Sequence, residues 1–407
     1  MIVKGSNQDR TRLYNRRVVL ETVRLRGPLS RADISRLTDL TPPAGNGITR
    51  ELEAAGLLRS EGRRRTARGQ PPVDYIVNPE GGFSIGLQLD RDRLVGVVLD
   101  LAGERRARFE TAIEDPRPAS ALPVLIHACR QLVGRARVPA SLVMGAGLVL
   151  PGPLDEEEPD DPLRLPGWGS AAPARALMQA TGLAVTVVND ANAAAIGERL
   201  HGAARDLSTF AYVFLGHGLG AGFILNGVPF EGSRGNAGEL GHLIVDPAAD
   251  GPARRLEHYV SLHALGSWFG ARGRAAPRPE DLIDLLDRAD PDLHAWLDAA
   301  ARMLRPALTT LNELLDPQAI LIGGLVPKPF IDALLARLEA PCDRRQPVLI
   351  AATAGTDVGV LGAAALPVFH RFAPSAVDLG RDARPHDRRP HQHGAVPTSV
   401  PILGEMP

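Results

Sequence analysis

Cysteine is nearly absent from this chain of 407 residues, which holds only Cys129 and Cys342. Two thiols so far apart make no disulfide framework and no zinc site by themselves, a usage that fits a reducing cytosol. Long apolar runs are absent too. None approaches the roughly 18 residues that span a bilayer. The opening residues, MIVKGSNQDR, lack the apolar stretch of a secretory signal. A cytoplasmic protein without a membrane anchor is the expectation. Net charge is almost missing, at −1, but the charge is not evenly spread. Residues 1–75 carry 15 Lys/Arg against 8 Asp/Glu, an excess of 7 positive charges. The remainder carries 31 against 39, an excess of 8 negative charges. A basic head on an acidic body suits a head that meets a polyanion, although charge alone also describes a merely basic surface.

Apolar residues make up 44% of the chain, enough for packed cores. The length calls for two or three compact units. Residues 13–26 place Leu13, Val19, Leu20 and Val23 near helical spacing, with arginines elsewhere. Gly27-Pro28 ends that helix. Ser30 and Asp33 form a capping-box pattern opening a second helix, with Ile34 and Leu37 inward. Thr41-Pro42 reads as a cap followed by Pro at the first helical position. The third helix runs to about Ala55, burying Ile48 and Leu52, and Gly56-Leu57-Leu58 closes it. Three helices with a tight turn before the third make a helix-turn-helix. Arg63-Arg64-Arg65-Thr66-Ala67-Arg68-Gly69, followed by alternating Val73–Val77, reads as a basic wing leading into a strand. Asn46, Thr49 and Arg50 would face a major groove, and Arg63, Arg64, Arg65 and Arg68 would lie along phosphates or a minor groove. A small protein-interaction domain with a solvated arginine loop is the blander reading. Pro43, Gly45 and Gly47 weaken the third helix, which raises the expectation that it orders only on DNA.

Residues 78–82 (Asn-Pro-Glu-Gly-Gly) read as a polar hinge. Beyond it strands and helices alternate. Strands are expected at Phe83–Leu89, Leu94–Asp100, Leu142–Val149, Val185–Val188, Thr209–Leu215, Phe223–Leu225 and Ala319–Leu321. Helices are expected at Ala119–Gly134, Ala171–Gly182, Asn189–His201 and Leu293–Leu315, the last interrupted by Pro306. Gly216–Gly222 and Gly323-Gly324 read as turns. The pattern is α/β with mixed sheets. Residues 1–78 form the winged helix-turn-helix, 79–370 a two-lobed body, and 371–407, rich in Pro, Arg and His, a disordered tail.

Four ordered motifs carry a resemblance. They are Val188-Asn189-Asp190-Ala191-Asn192 with Glu198, then Leu215-Gly216-His217-Gly218-Leu219-Gly220-Ala221-Gly222, then Gly238-Glu239-Leu240-Gly241-His242, and Leu321-Ile322-Gly323-Gly324. Behind a winged helix, and in this order, they resemble the ROK family of repressors, open reading frames and sugar kinases, over about residues 10–370. The resemblance implies an actin-like (ribonuclease H-like) fold with a sugar between two lobes, and homodimers or larger assemblies. It implies that Asp190 contacts a sugar hydroxyl, as general base in a kinase and as hydrogen-bond partner otherwise. Read from the residues alone, Asn189-Asp190 is also an ordinary Asx turn or helix cap. Glu239 and His242 supply the acceptor and donor groups a sugar needs. Glu257 matches a further sugar-binding glutamate, or is simply a helix-surface charge beside Arg254 and Arg255. Trp168 either shapes the cleft or packs.

Two departures from the family pattern stand out. The family's zinc loop, Cys-x-Cys-Gly-x-x-Gly-Cys, is replaced by the cysteine-free Asp246–Arg255, so no metal is expected and packing must hold the His242 loop. The family's Asp-x-Gly-Gly-Thr phosphate hairpin is replaced by Gln88-Leu89-Asp90-Arg91-Asp92, and the usual Thr of the second phosphate turn is His217. Carboxylates and bulky side chains there oppose a triphosphate, so no nucleotide cofactor and no kinase activity are expected. The sequence thus reads as a regulator of carbohydrate genes. Its partners would be a double-stranded DNA operator, a sugar or sugar phosphate effector and a second copy of itself. An ATP-dependent sugar kinase with a fused DNA-binding head is the alternative, and a regulator with a dead pocket is a third reading.

Overall fold

The computed structural model describes residues 8–372, apart from 64–71, 153–164, 169–171, 234, 247–253 and 339–346. The residues expected to form a tail lie, after Phe372, outside the described residues.

The head is a three-helix unit with a small sheet. Helix α1 (Gln8–Arg26) is followed by β1 (Leu29–Ser30), α2 (Arg31–Leu37), α3 (Pro42–Ala54), β2 (Leu58–Arg63) and β3 (Val73–Val77). Val19, Leu20 and Val23 of α1 are buried with Ile34, Ile48 and Leu52, as helical spacing requires. Leu13 is the exception. It is 45% exposed, one turn beyond the packed stretch. The Ser30–Asp33 capping box forms in both directions, and Pro42 opens α3. Helix α3 is a continuous thirteen-residue helix. Its Gly45 is there because α2 passes close: a Cβ would collide with the Ser35 hydroxyl. Some helix propensity is thus given up for close packing. Strand order β1-β3-β2 adds a strand, β2, that the glycine-leucine sequence does not announce.

The body repeats one plan twice. In the first lobe, β4 (Phe83–Leu89), β5 (Arg93–Asp100) and β6 (Arg105–Ala112) form an antiparallel meander. After α4 (Pro118–Ala136), β7 (Val143–Leu150) joins β4 in parallel, and after α5 (Ala172–Thr181), β8 (Val185–Asn189) joins β7. Helix α6 (Asp190–His201) then crosses to the second lobe. There β9 (Phe210–Leu215), β10 (Leu219–Leu225) and β11 (Val228–Phe230) form the meander. An excursion follows through β12 (Ile244–Asp246), β13 (Arg254–Arg255), α7 (Leu262–Gly270), α8 (Asp281–Asp287) and α9 (Pro291–Leu315). Strand β14 (Ala319–Gly324) then pairs with β9 in parallel, and after α10 (Lys328–Leu338), β15 (Leu349–Ala351) pairs with β14. The final helix is α11 (Val358–Phe372). Orders β6-β5-β4-β7-β8 and β11-β10-β9-β14-β15 are the same arrangement. This is the two-lobed α/β architecture expected.

Several boundaries differ from expectation. Most of Gly216–Gly222 is strand β10, with only residues 216–218 turning, because Gly220 and Gly222 pair with Phe214 and Tyr212 across the ladder. Gly323 and Gly324 likewise pair with Phe214 and Leu215 inside β14. Helix α9 runs unbroken through Pro306, its buried face from Leu293 to Leu308 outweighing one lost backbone bond. Asn78 donates from Nδ2 to the Gly56 carbonyl at 2.7 Å, and Pro79–Gly81 is a 3-10 turn. Helix α11 runs to Phe372, two residues past the expected end of the body, and Leu101, Val368 and Phe372 of the body pack against the head's core. Trp168 is a packing residue, 4% exposed with its ring nitrogen donating to Pro116.

Candidate ligand cleft and nucleic-acid interface

Strand β8 ends at the cleft and α6 begins there, so Asn189 and Asp190 stand where α/β folds place ligands. Asn189 caps α6. Its Oδ1 accepts from Ala191 and Asn192 at 2.9 and 3.4 Å, and its Nδ2 donates to the Gly152 carbonyl at 3.3 Å. One amide hydrogen is left for a ligand, so its main task is to aim the next residue. Asp190 accepts from the Ala191 amide at 2.8 Å. Burial pushes its carboxyl up to about 7; the Ala191 amide opposes the rise, while the carboxylates of Asp90 and Glu239 add to it. A carboxyl poised there accepts or donates a hydrogen bond near neutrality. Gly222 of β10 lets that strand lie on the first turn of α6, since a Cβ would collide with the Ala191 carbonyl.

The facing wall comes from the β12–β13 region. Glu239 precedes the Leu240–His242 turn, and Glu257 lies in the Leu256–His258 turn. His242 Nε2 is 3.8 Å from the Glu239 carboxylate and 3.6 Å from that of Glu257. Glu257 is 5% exposed, so the reading as a surface charge is set aside. Arg255 stands 3.9 Å from it. Strands β12 and β13 pair (Ile244 with Arg255, Asp246 with Arg254) just after the Leu240–His242 turn. Glu198, by contrast, is wholly buried and accepts from the amides of Ala203, Thr353 and Ala354, an architectural role.

Two further side chains join the cleft, and sequence reasoning treated them only as lost phosphate contacts. Asp90, on the β4–β5 hairpin, lies 3.8 Å from His217, on the β9–β10 hairpin. Burial holds the His217 imidazole below its ordinary value against the pull of Asp90. Nothing in the sequence pairs these residues; only the twofold repeat of the meander brings the two hairpins together.

On the head, Arg50 is exposed and Asn46 half-buried along α3. Thr49 is a correction. It is fully buried, and its hydroxyl donates to the Gly45 carbonyl at 2.7 Å. It packs α3 onto the core and does not reach a groove. Arg12 and Arg16 of α1 pair with Glu51 of α3 on the head's surface. The wing's strands are β2 and β3. Arg63 ends β2, paired in register with Val73, while Arg64, Arg65 and Arg68 lie outside the described residues.

The family model described as "ROK family" matches residues 84–368. The xylose repressor of Bacillus spizizenii is 25% identical over 325 residues, 79% of this chain and 84% of that protein. The N-acetylglucosamine repressor of Escherichia coli O157:H7 is 25% identical over 248 residues, 60% of each chain. Among solved structures, a ROK family transcriptional regulator described as a homolog of the E. coli MLC protein is similar with a TM-score of 0.72 and 25% identity, over 91% of this chain and 99% of that one. A ROK family glucokinase from Streptomyces griseus, in complex with glucose and AMPPNP, reaches a TM-score of 0.55 and 26% identity over 70% of this chain and 99% of that one. No helix among the described residues is long and apolar enough to cross a membrane. With the family model spanning well over half of its length, this chain belongs to the ROK family.

Proposed function

We propose that the protein is a sugar-responsive transcriptional repressor that has given up phosphoryl transfer. What supports this reading is one chain with a three-helix, small-sheet head and a body that sets Asp190, Glu239, His242 and Glu257 near one another, with Asp90 against His217 on the two hairpins. A phosphoryl-transfer site neutralises charge and lets backbone approach phosphates. Here Gln88, Asp90, Arg91 and His217 occupy those hairpins. Repressors among the relatives, and the regulator of similar structure, support the same reading.

In this account a homodimer sets two copies of α3 on a palindromic operator in the cytoplasm. Arg50 and Asn46 read bases, and the wing arginines hold phosphates. A monosaccharide or sugar phosphate enters between the lobes and is held by Asp190, Glu239, His242 and Glu257, with Asn189 positioning Asp190. Nucleotide and metal are not required.

The signal needs a body that feels the sugar and touches the head. Helix α6 qualifies. It starts at Asp190 and ends at Arg199 and His201, beside Glu21 and Arg24 of α1. Helix α11 lies against α6 along its length, so close that a Cβ on Gly362 would collide with the Ala193 carbonyl. Its far end, Val368 and Phe372, is part of the head's core. A shift of the lobes about the sugar would therefore reach α1 through two helices that move as one. A typical coupling of about 1–3 kcal/mol changes operator affinity roughly 5- to 150-fold. The test is operator binding, followed by fluorescence anisotropy, across xylose, glucose, N-acetylglucosamine and their phosphates. Silence of all of them, with operator binding intact, would favour a dead pocket. Sugar-dependent ADP release would favour the kinase.

A further inference from the structure

Between head and body lies a cavity of about 110 Å3, remote from the sugar cleft. It is walled by α1, by β5 and the turn after it, by the end of α6 and by α11. Most of its surface is apolar, with Phe369 and Phe372 on one side. Its polar groups are unusual. The Ser84 side chain is 1% exposed, and among the described residues its hydroxyl has no hydrogen-bond partner. His201 Nε2 is buried and likewise has none among them. Buried polar atoms left without partners cost about 1–3 kcal/mol each, so two in one cavity ask for an occupant.

The charges around the cavity indicate what kind. Its carboxylates Glu21 and Asp100 are already matched, Glu21 by Arg24 at 2.6 Å and Asp100 by Arg106 at 2.7 Å and by the amides of Ala102 and Glu104. Arg199, lining the same space, makes no contact ion pair among the described residues; Glu21, already held by Arg24, acts on it only from farther off, and its hydrogen bond goes to the Gly227 carbonyl. Burial pulls its guanidinium below the ordinary value, the sign of a cation short of compensation. The remaining carboxylate and cation of the rim, Glu104 and the exposed Arg205, are of opposite sign.

We propose that this cavity is a second small-molecule site, taking a short-chain monocarboxylate whose carboxylate meets Arg199, His201 and Ser84 and whose hydrocarbon body fills the apolar end. The size fits: an apolar cavity of about 150 Å3 admits benzene, and four to six carbons fill a slightly smaller, partly open one. A sugar does not suit walls of this kind, because its ring of hydroxyls would be buried against Phe369, Phe372 and aliphatic side chains without partners. Since the walls belong to both head and body, an occupant would fasten one to the other.

Binding can be measured without DNA or sugar, so it stands apart from the repressor reading. Calorimetric titration of the full chain with isovalerate should give one site per chain. Isovaleramide, the same shape without charge, should bind at least about tenfold more weakly. Arg199→Met should weaken isovalerate by about tenfold or more, and Ala365→Phe, which fills the apolar end, should abolish binding. Circular dichroism and melting curves matching the wild type would show that each variant folds. Should Ala365→Phe not fold, Ser84→Ala takes its place, with an expected loss of about threefold or more. The proposal is overturned by absence of saturable heat up to about 10 mM isovalerate, by equal binding of the amide, or by folded variants that bind like the wild type.

Discussion

In the first lobe the β4–β5 hairpin turns through Asp90, Arg91 and Asp92; in the second, the equivalent β9–β10 hairpin turns through Gly216, His217 and Gly218. The sheets behind them share one strand order. What differs is the chemistry at the tips. One is charged and bulky, the other bare except for an imidazole, and the two meet at 3.8 Å. The comparison teaches that a sheet plan fixes where the tips converge, while the tip residues set the chemistry found there.

The largest expected effect lies in the helix pair joining the lobes. Gly362→Val would drive a side chain into the Ala193 carbonyl, and overpacking of this kind costs about 1–3 kcal/mol or more. A melting temperature lowered by several degrees, or insoluble protein, is expected. A normal melting curve would show that the lobes are not held together at α6 and α11. Next comes Arg50→Ala, which should weaken operator binding about 10- to 100-fold and leave sugar binding unchanged. Thr49→Ala should act on stability instead, because Thr49 is buried. A selective loss of operator affinity in a fully stable Thr49→Ala would reverse that assignment.

A comparable effect depends on pH. The Asp190 carboxyl titrates near 7 in the folded chain, against an ordinary value of 3.8. Above pH 7 it is ionised in both folded and unfolded states, and only the folded state bears the cost of burying the charge. As pH falls through 7 the folded carboxyl takes up a proton, and the cost has gone below about 4. Asp190→Asn should therefore stabilise the sugar-free protein at pH 8, by on the order of 2 kcal/mol, and not at pH 4. Melting curves at the two pH values check it; an equal shift at both would place the carboxyl in solvent. The smallest effect concerns the tips themselves. Asp90→Gly combined with His217→Thr removes the pair that meets between the tips, and AMPPNP should then bind weakly but more tightly than it does to the wild type. If the wild type already binds AMPPNP as tightly, the tips are not what excludes nucleotide.

Much of this was legible in the sequence, for physical reasons that can be named. The head's helices announce themselves through capping chemistry at Ser30 and Pro42 and through apolar spacing at Val19, Leu20 and Val23. Asp190, Glu239 and His242 could be singled out because each stands in a short, glycine-flanked or strand-end motif, whereas Glu257 came only from the family resemblance. Helix α11 could not. Its VGVLGAAALPVFHRF is apolar on nearly all sides because it is buried between sheets and helices, so it lacks the polar face that marks a surface helix. The glycines of β10 read as a turn because closeness to α6, not conformational freedom, is what they supply. The meeting of Asp90 and His217, and the cavity between head and body, depend on side chains far apart in the chain, and no local pattern encodes them.

The central claim is that one chain reads DNA with its head and a sugar with its cleft, coupled through α6 and α11. Operator anisotropy titrations of wild type and Asp190→Ala, with and without the responsive sugar, test this most directly. The account predicts that both proteins bind the operator alike without sugar, and that sugar changes affinity by roughly 5-fold or more only in the wild type. An Asp190→Ala protein that still responds to the sugar as the wild type does would contradict it.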